Sequence, residues 1–402
     1  MEHQKEKTKS NLSKWLNTSI TARLLMVGFL TLILLIPLSY INSLIKERGY
    51  RQKDVVNEIN SKWGKEVLLY GPILKIPYKS YKETTIYNEK SKKHKTEIET
   101  NIEYAFIFPE QLNVTSNVNS KKLKRGNFES AVYTSDMKLK GFFIKPNLSA
   151  KNILDKDILW NKATYIVKTS NLKGIKGETK INSNGKDYTF ETNFNEQTRN
   201  TLDELESNYI KESNVPKTDE DKMSFDLNIT FDGSELLQII PIGKTTHLKM
   251  ASNWGNPSFI GEFLPIDSSK KITQNSFDAE WKVTHLNRAF SQQYLNAIPD
   301  LKRYAFGAKF LIMVDEFQQS ERSAKYGFLV IGLTFLLFFL IQTLSKINIH
   351  PFQYLMIGLA LTMFYTLLVS ISEHSNFLKA YIIAGSSVII LITLYSKSIL
   401  NY

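Results

Sequence analysis

Hydrophobic residues along this chain gather into unbroken runs near its two ends and into short alternating runs between them. Positions 24–41, 326–344, 351–371 and 380–395 hold no charged residue. A bilayer core of roughly 30 Å needs about 20 helical residues at about 1.5 Å each. The runs at 326–344 and 351–371 meet that length. The last is shorter and relies on Lys379 and Lys397 reaching back to the head groups. The pattern predicts transmembrane helices over 24–45, 326–344, 351–371 and 379–396. A basic tail at 1–23 precedes them, an insert at 46–325 separates the first from the second, and a short tail follows at 397–402. Both tails are expected in the cytoplasm.

The first run follows Lys5, Lys7, Lys9, Lys14 and Arg23. A basic leader before an apolar run also describes a secretory signal peptide. No Ala-x-Ala-like site follows, and the run is longer than a signal core, so it reads as an uncleaved anchor, with Pro37 a tolerated kink. Residues 42–64 read as a charged amphipathic helix on Leu44, Val55, Val56, Ile59 and Trp63, with Gly64 suited to its end.

The insert changes period. Alternation predicts strands over 73–78, 98–108, 128–133, 137–144, 164–169, 187–192, 223–231, 238–242, 246–250, 258–264 and 277–283. Asn184-Gly185 is a hairpin signal, and Asp232-Gly233 reads as a turn. The expected fold is therefore an integral membrane protein with one N-terminal and three C-terminal helical spans. Its large insert is extracytoplasmic, mainly β and sandwich-like, with two lobes divided at the polar run 212–222. A helical break is expected around 196–213, where Leu202, Leu205, Tyr209 and Ile210 have helical spacing. Residues 106–142 and 239–264 echo one another, through either an internal duplication or shared β composition. Residues 311–325 read as a helix coupling the insert to the spans.

Composition narrows the chemistry. The net charge of +12 comes from lysines scattered among Asn, Ser and Thr, without an arginine–aromatic stripe, so no nucleic-acid partner is expected. The absence of cysteine excludes thiol catalysis, Cys-ligated zinc and iron–sulfur clusters. The six histidines never fall at metal-ligand spacing, and no Walker, dinucleotide, Gly-x-Ser-x-Gly or His-Glu-x-x-His motif occurs. No catalytic residue, metal or cofactor is expected, and the protein reads as a non-enzyme. Asp219-Glu-Asp221 reads as a solvated loop.

Glu373 and His374, at the end of the third span, are the one candidate polar site. They are either ordinary interfacial residues or a functional site turned into the helix bundle. His350-Pro351 reads as a helix start. Ala384-Gly-Ser-Ser387 offers a small-residue packing face.

Several segments together resemble the CreD family of inner-membrane proteins, described as cell-envelope integrity proteins. They are Ser43-Leu-Ile-Lys-Glu-Arg48, Ser61-Lys-Trp-Gly64, Gly71-Pro-Ile-Leu-Lys-Ile-Pro-Tyr78, Trp254-Gly-Asn-Pro-Ser-Phe-Ile-Gly-Glu-Phe-Leu-Pro265 and Glu280-Trp-Lys-Val-Thr-His-Leu-Asn-Arg288. Arg322-Ser-Ala-Lys-Tyr326, Ile349-His-Pro-Phe-Gln-Tyr354, Gly358-Leu-Ala-Leu361 and Ser372-Glu-His374 complete the set. The resemblance implies a multi-pass protein of the bacterial inner membrane with its large domain in the periplasm. It implies a role in envelope homeostasis, downstream of a two-component stress response in some bacteria, and no catalytic residues. Further C-terminal spans are expected in the family, so the chain is expected to be naturally short or truncated. The expected partners are the lipid bilayer and an envelope protein or cell-wall component. The alternative is a transporter or lipid-handling protein with a periplasmic accessory domain.

Overall fold

The computed structural model describes residues 19–88, 93–126, 128–193, 202–211, 214–216, 218, 221–312, 316–345, 349–372 and 374–400. The chain divides into two compact units. One holds residues 1–55, 126–128 and 313–402; the other holds 56–125 and 129–312. Each has its own apolar core.

Among the described residues, the helical unit contains four helices long and apolar enough to cross a membrane. The first, α1, is a single helix over Ile20–Trp63, with Pro37 inside it. The span expected at 24–45 and the amphipathic helix expected at 42–64 are thus one element. At about 1.5 Å per residue, it is about 66 Å long. After α2 (Glu316–Lys325) come α3 (Gly327–Leu344), α4 (Pro351–Ser372) and α5 (Phe377–Leu400). Leu34, Leu38, Ile41 and Ile45 of α1 are buried in one core with Ile331 and Phe335 of α3 and Tyr354 and Tyr365 of α4. Of the helix expected over 311–325, only the α2 part is helical among the described residues. Residues 313–315 lie outside them.

The other unit is built of strands: β1 (Val67–Asn88), β2 (Lys93–Ile107), β3 (Gln111–Arg125), β4 (Phe128–Phe143), β5 (Thr164–Thr169), β6 (Ile175–Ser183), β7 (Lys186–Asn193) and β8 (Asp203–Ser207). They continue as β9 (Met223–Ser234), β10 (Leu236–Ile239), β11 (Thr245–Ser252), β12 (Pro257–Gly261), β13 (Lys271–Ile272), β14 (Phe277–Thr284), β15 (Gln293–Leu295) and β16 (Phe306–Phe310). The hydrogen-bonded path runs β12-β16-β10-β1-β5-β8-β7-β6-β9-β4-β3-β11-β14-β13, with β2 paired to β1 and β15 to β2. The two halves of this path face one another. Ring centroids of Phe259 (β12) and Trp281 (β14) lie 5.5 Å apart, Trp281 and Phe306 (β16) 5.9 Å, and Tyr133 (β4) and Phe310 (β16) 5.0 Å. The sandwich read from the sequence is therefore present.

Three expectations are corrected. Of the helical break expected around 196–213, residues 196–201, 212 and 213 lie outside the described residues, and 203–207 form a strand, not a helix. Leu205 and Ser207 turn inward, while Glu204 and Glu206 point to Lys168 on the neighbouring β5 and to Lys75 on β1 beyond it, at 3.2 Å for Glu204–Lys168 and 2.9 Å for Glu206–Lys75. These cross-strand ion pairs need period two, and they override the helical spacing of the leucines. Asp232-Gly233 is no turn: β9 runs on through Ser234, and a Cβ on Gly233 would lie 2.4 Å from the Tyr133 ring. The chain turns instead at Glu235, which has a φ of 59°. Third, the run 212–222 divides no lobes. Ile210, Val215 and Met223 on either side of it and within it belong to one core cluster. The Asn184-Gly185 hairpin forms as expected, with φ of 48° and 80° between β6 and β7.

The echoing segments occupy matching places. After Pro109 and after Pro241 the chain leaves the β1 side of the sandwich, and β3 and β11 then run parallel, Gln111 opposite Thr245. The two crossings are joined by Lys244 N–H to Pro109 C=O (2.9 Å) and Thr245 N–H to Glu110 C=O (3.1 Å). Arg288 clamps them. Its guanidinium donates to the carbonyls of Ile242 (3.2 Å), Gly243 (3.0 Å) and Phe290 (3.1 Å) and to the Gln292 side chain, and lies 3.7 Å from the Phe290 ring centroid. Gln292 in turn donates to Pro109 C=O at 3.1 Å. Burial pushes Arg288 down to about 10, still charged at neutral pH.

The last turns of α1 belong to the strand unit. Asn60 donates to Glu235 (2.9 Å) and accepts from Ser130 (2.5 Å), and Trp63 Nε1 donates to Tyr133 C=O at 3.2 Å. Gly64 lies so close that a Cβ there would sit 2.4 Å from Asp232 O. Arg125 and Lys62 hold the Glu58 carboxyl down to about 2.

Two outcomes are expected. Arg288→Lys replaces a planar fork by a point charge and strands carbonyls at the crossings, so denaturant unfolding of the strand unit should show a loss of about 1–3 kcal/mol. The folded pKa of Glu58 is depressed, so its ion pairs should persist through the ordinary carboxylate range and break only as pH falls through about 2. A carboxyl titration followed by NMR reads that midpoint.

Candidate functional site

Polar groups beside apolar helices are costly unless partnered, so they mark where a membrane protein does more than span. The last carbonyls of a helix have no partner within it. At the end of α4, Val369 C=O accepts from the Arg48 guanidinium of α1 at 2.9 Å and from the Ser372 hydroxyl at 3.0 Å. Ser320 of α2 is buried, and its hydroxyl donates to Ser372 Oγ at 3.2 Å. Three helices therefore meet at one polar cluster. A cation at a helix C-terminus is also favoured by the helix dipole.

Of the two residues read from the sequence, Glu373 lies outside the described residues. His374 sits in the turn after α4, exposed, with its N–H on Ile371 C=O at 3.0 Å. The ionisable group that reaches α4 from a neighbouring helix here is Arg48. Its segment, Ser43–Arg48, and that of Ser372 both carried the family resemblance, which was the one available signal.

At the other end of α4, His350 acts as a cap. Its Nδ1 accepts from Phe352 N–H (3.3 Å), its own N–H donates to Gln353 Oε1 (3.1 Å), and Pro351 opens the helix. Buried Gln342 of α3 accepts from the Tyr354 hydroxyl at 2.9 Å. Gly358 allows close packing, since a Cβ there would fall 2.1 Å from Leu34 Cδ1. The small-residue face of α5 is displaced from the expected one. Ala380, Ala384 and Val388 are buried, whereas Ser386 and Ser387 are exposed and bond back to Ile383 C=O.

Chemically, this arrangement can hold three helices in register through a cation and two hydroxyls. No group of three or more His, Asp or Glu suited to a metal occurs among the described residues.

The family model described as "Inner membrane protein CreD" matches residues 19–402. The chain is 30% identical over 374 residues to the inner membrane protein CreD of Escherichia coli (strain K12), covering 92% of this chain and 79% of that protein.

The Ser320–Ser372 contact makes a direct test possible, because the chain lacks cysteine. A Ser320→Cys/Ser372→Cys double variant should close an intramolecular disulfide on mild oxidation, read by intact mass. A Ser320→Cys/Ser387→Cys pair should stay reduced. Arg48→Ala should weaken the same packing and lower the thermal midpoint, through roughly 1–3 kcal/mol lost with the Val369 carbonyl's partner.

Proposed function

The chain belongs to the CreD family of inner membrane proteins, and on that premise we propose a non-enzymatic role in maintaining the cell envelope. The strand-built unit would stand in the periplasm and bind an envelope component, either a protein or cell-wall material. The spans would hold it at the inner membrane. The observation that carries this reading is the division of labour in the chain. Four helices of membrane length share one unit, and a separately cored sandwich is spliced between the first and second of them. The basic leader before the first span favours an inside N-terminus, which an even number of spans matches with an inside C-terminus and an outside insert. The polar groups near the helices are engaged in capping and packing, which supports an anchoring role for them.

The placement is tested with Lys156→Cys, an exposed position of the strand unit in an otherwise cysteine-free chain. A membrane-impermeant maleimide should label it in intact spheroplasts. Labelling only after lysis would overturn the periplasmic placement. For the role, cells lacking the protein should become more sensitive to detergent with chelator. The full chain should restore them, and a version without the strand unit should not. In-cell photocrosslinking from the strand unit should recover an envelope protein or wall fragment. Recovery of lipid alone would favour a lipid-handling role instead.

A further inference from the structure

We propose that two copies of this chain join edge to edge through β2, in an antiparallel pair centred on Thr96. The hairpins of the two copies then form one continuous sheet in the order β1-β2-β2-β1. This goes beyond the envelope reading and does not depend on what the strand unit binds, so its failure leaves that reading untouched.

The surface is the outer part of the β1–β2 hairpin. From Lys79 opposite Ile102 to Asn88 opposite Lys93, the two strands pair with each other in unbroken register. At about 3.4 Å per residue, this ribbon is about 30 Å long. Residues 81–84 and 96–102 are exposed at every position, so neither face packs on the sandwich there. Tyr81, Ile98 and Ile102 are each more than half exposed. A two-stranded ribbon is marginal in water by itself and gains from further strands. The β1 edge is partly taken: β5 pairs as far as Lys75, Ile158 bridges to Tyr78, and the Tyr81 hydroxyl donates to Asp157 at 2.8 Å. The β2 edge is the open one. Among the described residues, β2 pairs only with β1 and β15, and β15 covers no more than residues 105–107.

Which backbone groups face that edge follows from its covered end. Tyr104 C=O accepts from Asn296 N–H at 2.7 Å, and Phe108 N–H donates to Gln292 C=O at 2.9 Å. Even-numbered residues of β2 therefore turn their backbone groups outward, Thr96, Ile98, Thr100 and Ile102 among them. A two-fold axis at Thr96 lets its N–H and C=O bond to those of the same residue in the second copy. Odd-numbered residues then meet at the non-hydrogen-bonded positions, where opposed side chains are closest. The sequence here reads Lys93-His-Lys-Thr-Glu-Ile-Glu99. The register sets Lys95 opposite Glu97 of the second copy and Lys93 opposite Glu99, each twice by symmetry. Moving the axis by one residue sets Lys95 or Glu97 against itself. Moving it by two sets Lys93 against Lys95, or Glu97 against Glu99. Charges on an exposed edge ordinarily discourage pairing. Here their order permits one register and opposes its neighbours.

The chain has no cysteine, so single thiols report the pairing. The full chain carrying Thr96→Cys, in detergent micelles and in its own membrane, should oxidise to a disulfide-linked homodimer, read by non-reducing electrophoresis. Its two Cα atoms would lie about 5.5 Å apart across the axis, within disulfide range. Thr100→Cys is equally exposed on the same edge but sits about 27 Å from its own copy, so it should crosslink at least about tenfold more slowly. Adding Lys95→Glu to Thr96→Cys should lower the crosslinking rate about tenfold. Adding Glu97→Lys as well should restore it, because the swapped pair is again opposite in charge. Equal rates for the two thiols would overturn the proposal. So would indifference to Lys95→Glu, failure of the double reversal to restore the rate, or a thiol at position 96 that joins a different protein in the membrane.

Discussion

A peptide group in hydrocarbon finds no water, so its N–H and C=O must be satisfied by the element it belongs to. Helices meet this condition alone. A sheet meets it only when closed, and the strand path here ends openly at β12 and β13. The chain therefore has to sort its elements: helices that can lie in lipid at its ends, strands that must lie outside it in the middle. The two separate cores are the outcome. One helix takes part in both units. The apolar half of α1 buries Leu34, Leu38, Ile41 and Ile45 among helices, and its polar end engages the sandwich through Asn60 and Trp63.

The helical spans were legible because the bilayer imposes a length and forbids charge, both of which a linear sequence displays. Strands with apolar inward positions were legible too, such as Thr164–Thr169 and Phe277–Thr284. β3 shows why others were not. Its inward positions are Leu112, Val114, Ser116, Val118 and Ser120, so hydropathy alternation fades halfway along. The serines are tolerated inside because Ser135 of β4 and Ser252 of β11 partner them from the neighbouring strands of the same sheet, at 3.0 and 3.1 Å. That partnership is invisible until the fold exists. The misread 203–207 segment has the same cause: its acidic positions make sense only beside Lys75 and Lys168.

The polar cluster on α4 was out of reach for a related reason. Arg48 and Val369 are 321 positions apart. A reading based on neighbours sees Glu373 and His374, which are adjacent to the span end, and has no means of seeing an arginine arriving from another helix. Ionisable groups beside a span are informative once their partners are known, because partnership distinguishes a clamp from an interfacial residue. Arg48 donates to a helix-end carbonyl, and His350 caps a helix start. Both reduce the number of unpaired backbone groups at the helix ends.

The segments that carried the family resemblance now have physical roles, and these roles bear on function. Trp254 donates to Leu311 C=O at 3.2 Å and packs edge-on to Phe310; Arg288 clamps the two crossings; Trp63 joins α1 to β4. Tyr354 bonds Gln342 inside the helical core, and Ser372 receives Ser320. Each task is to hold elements in place.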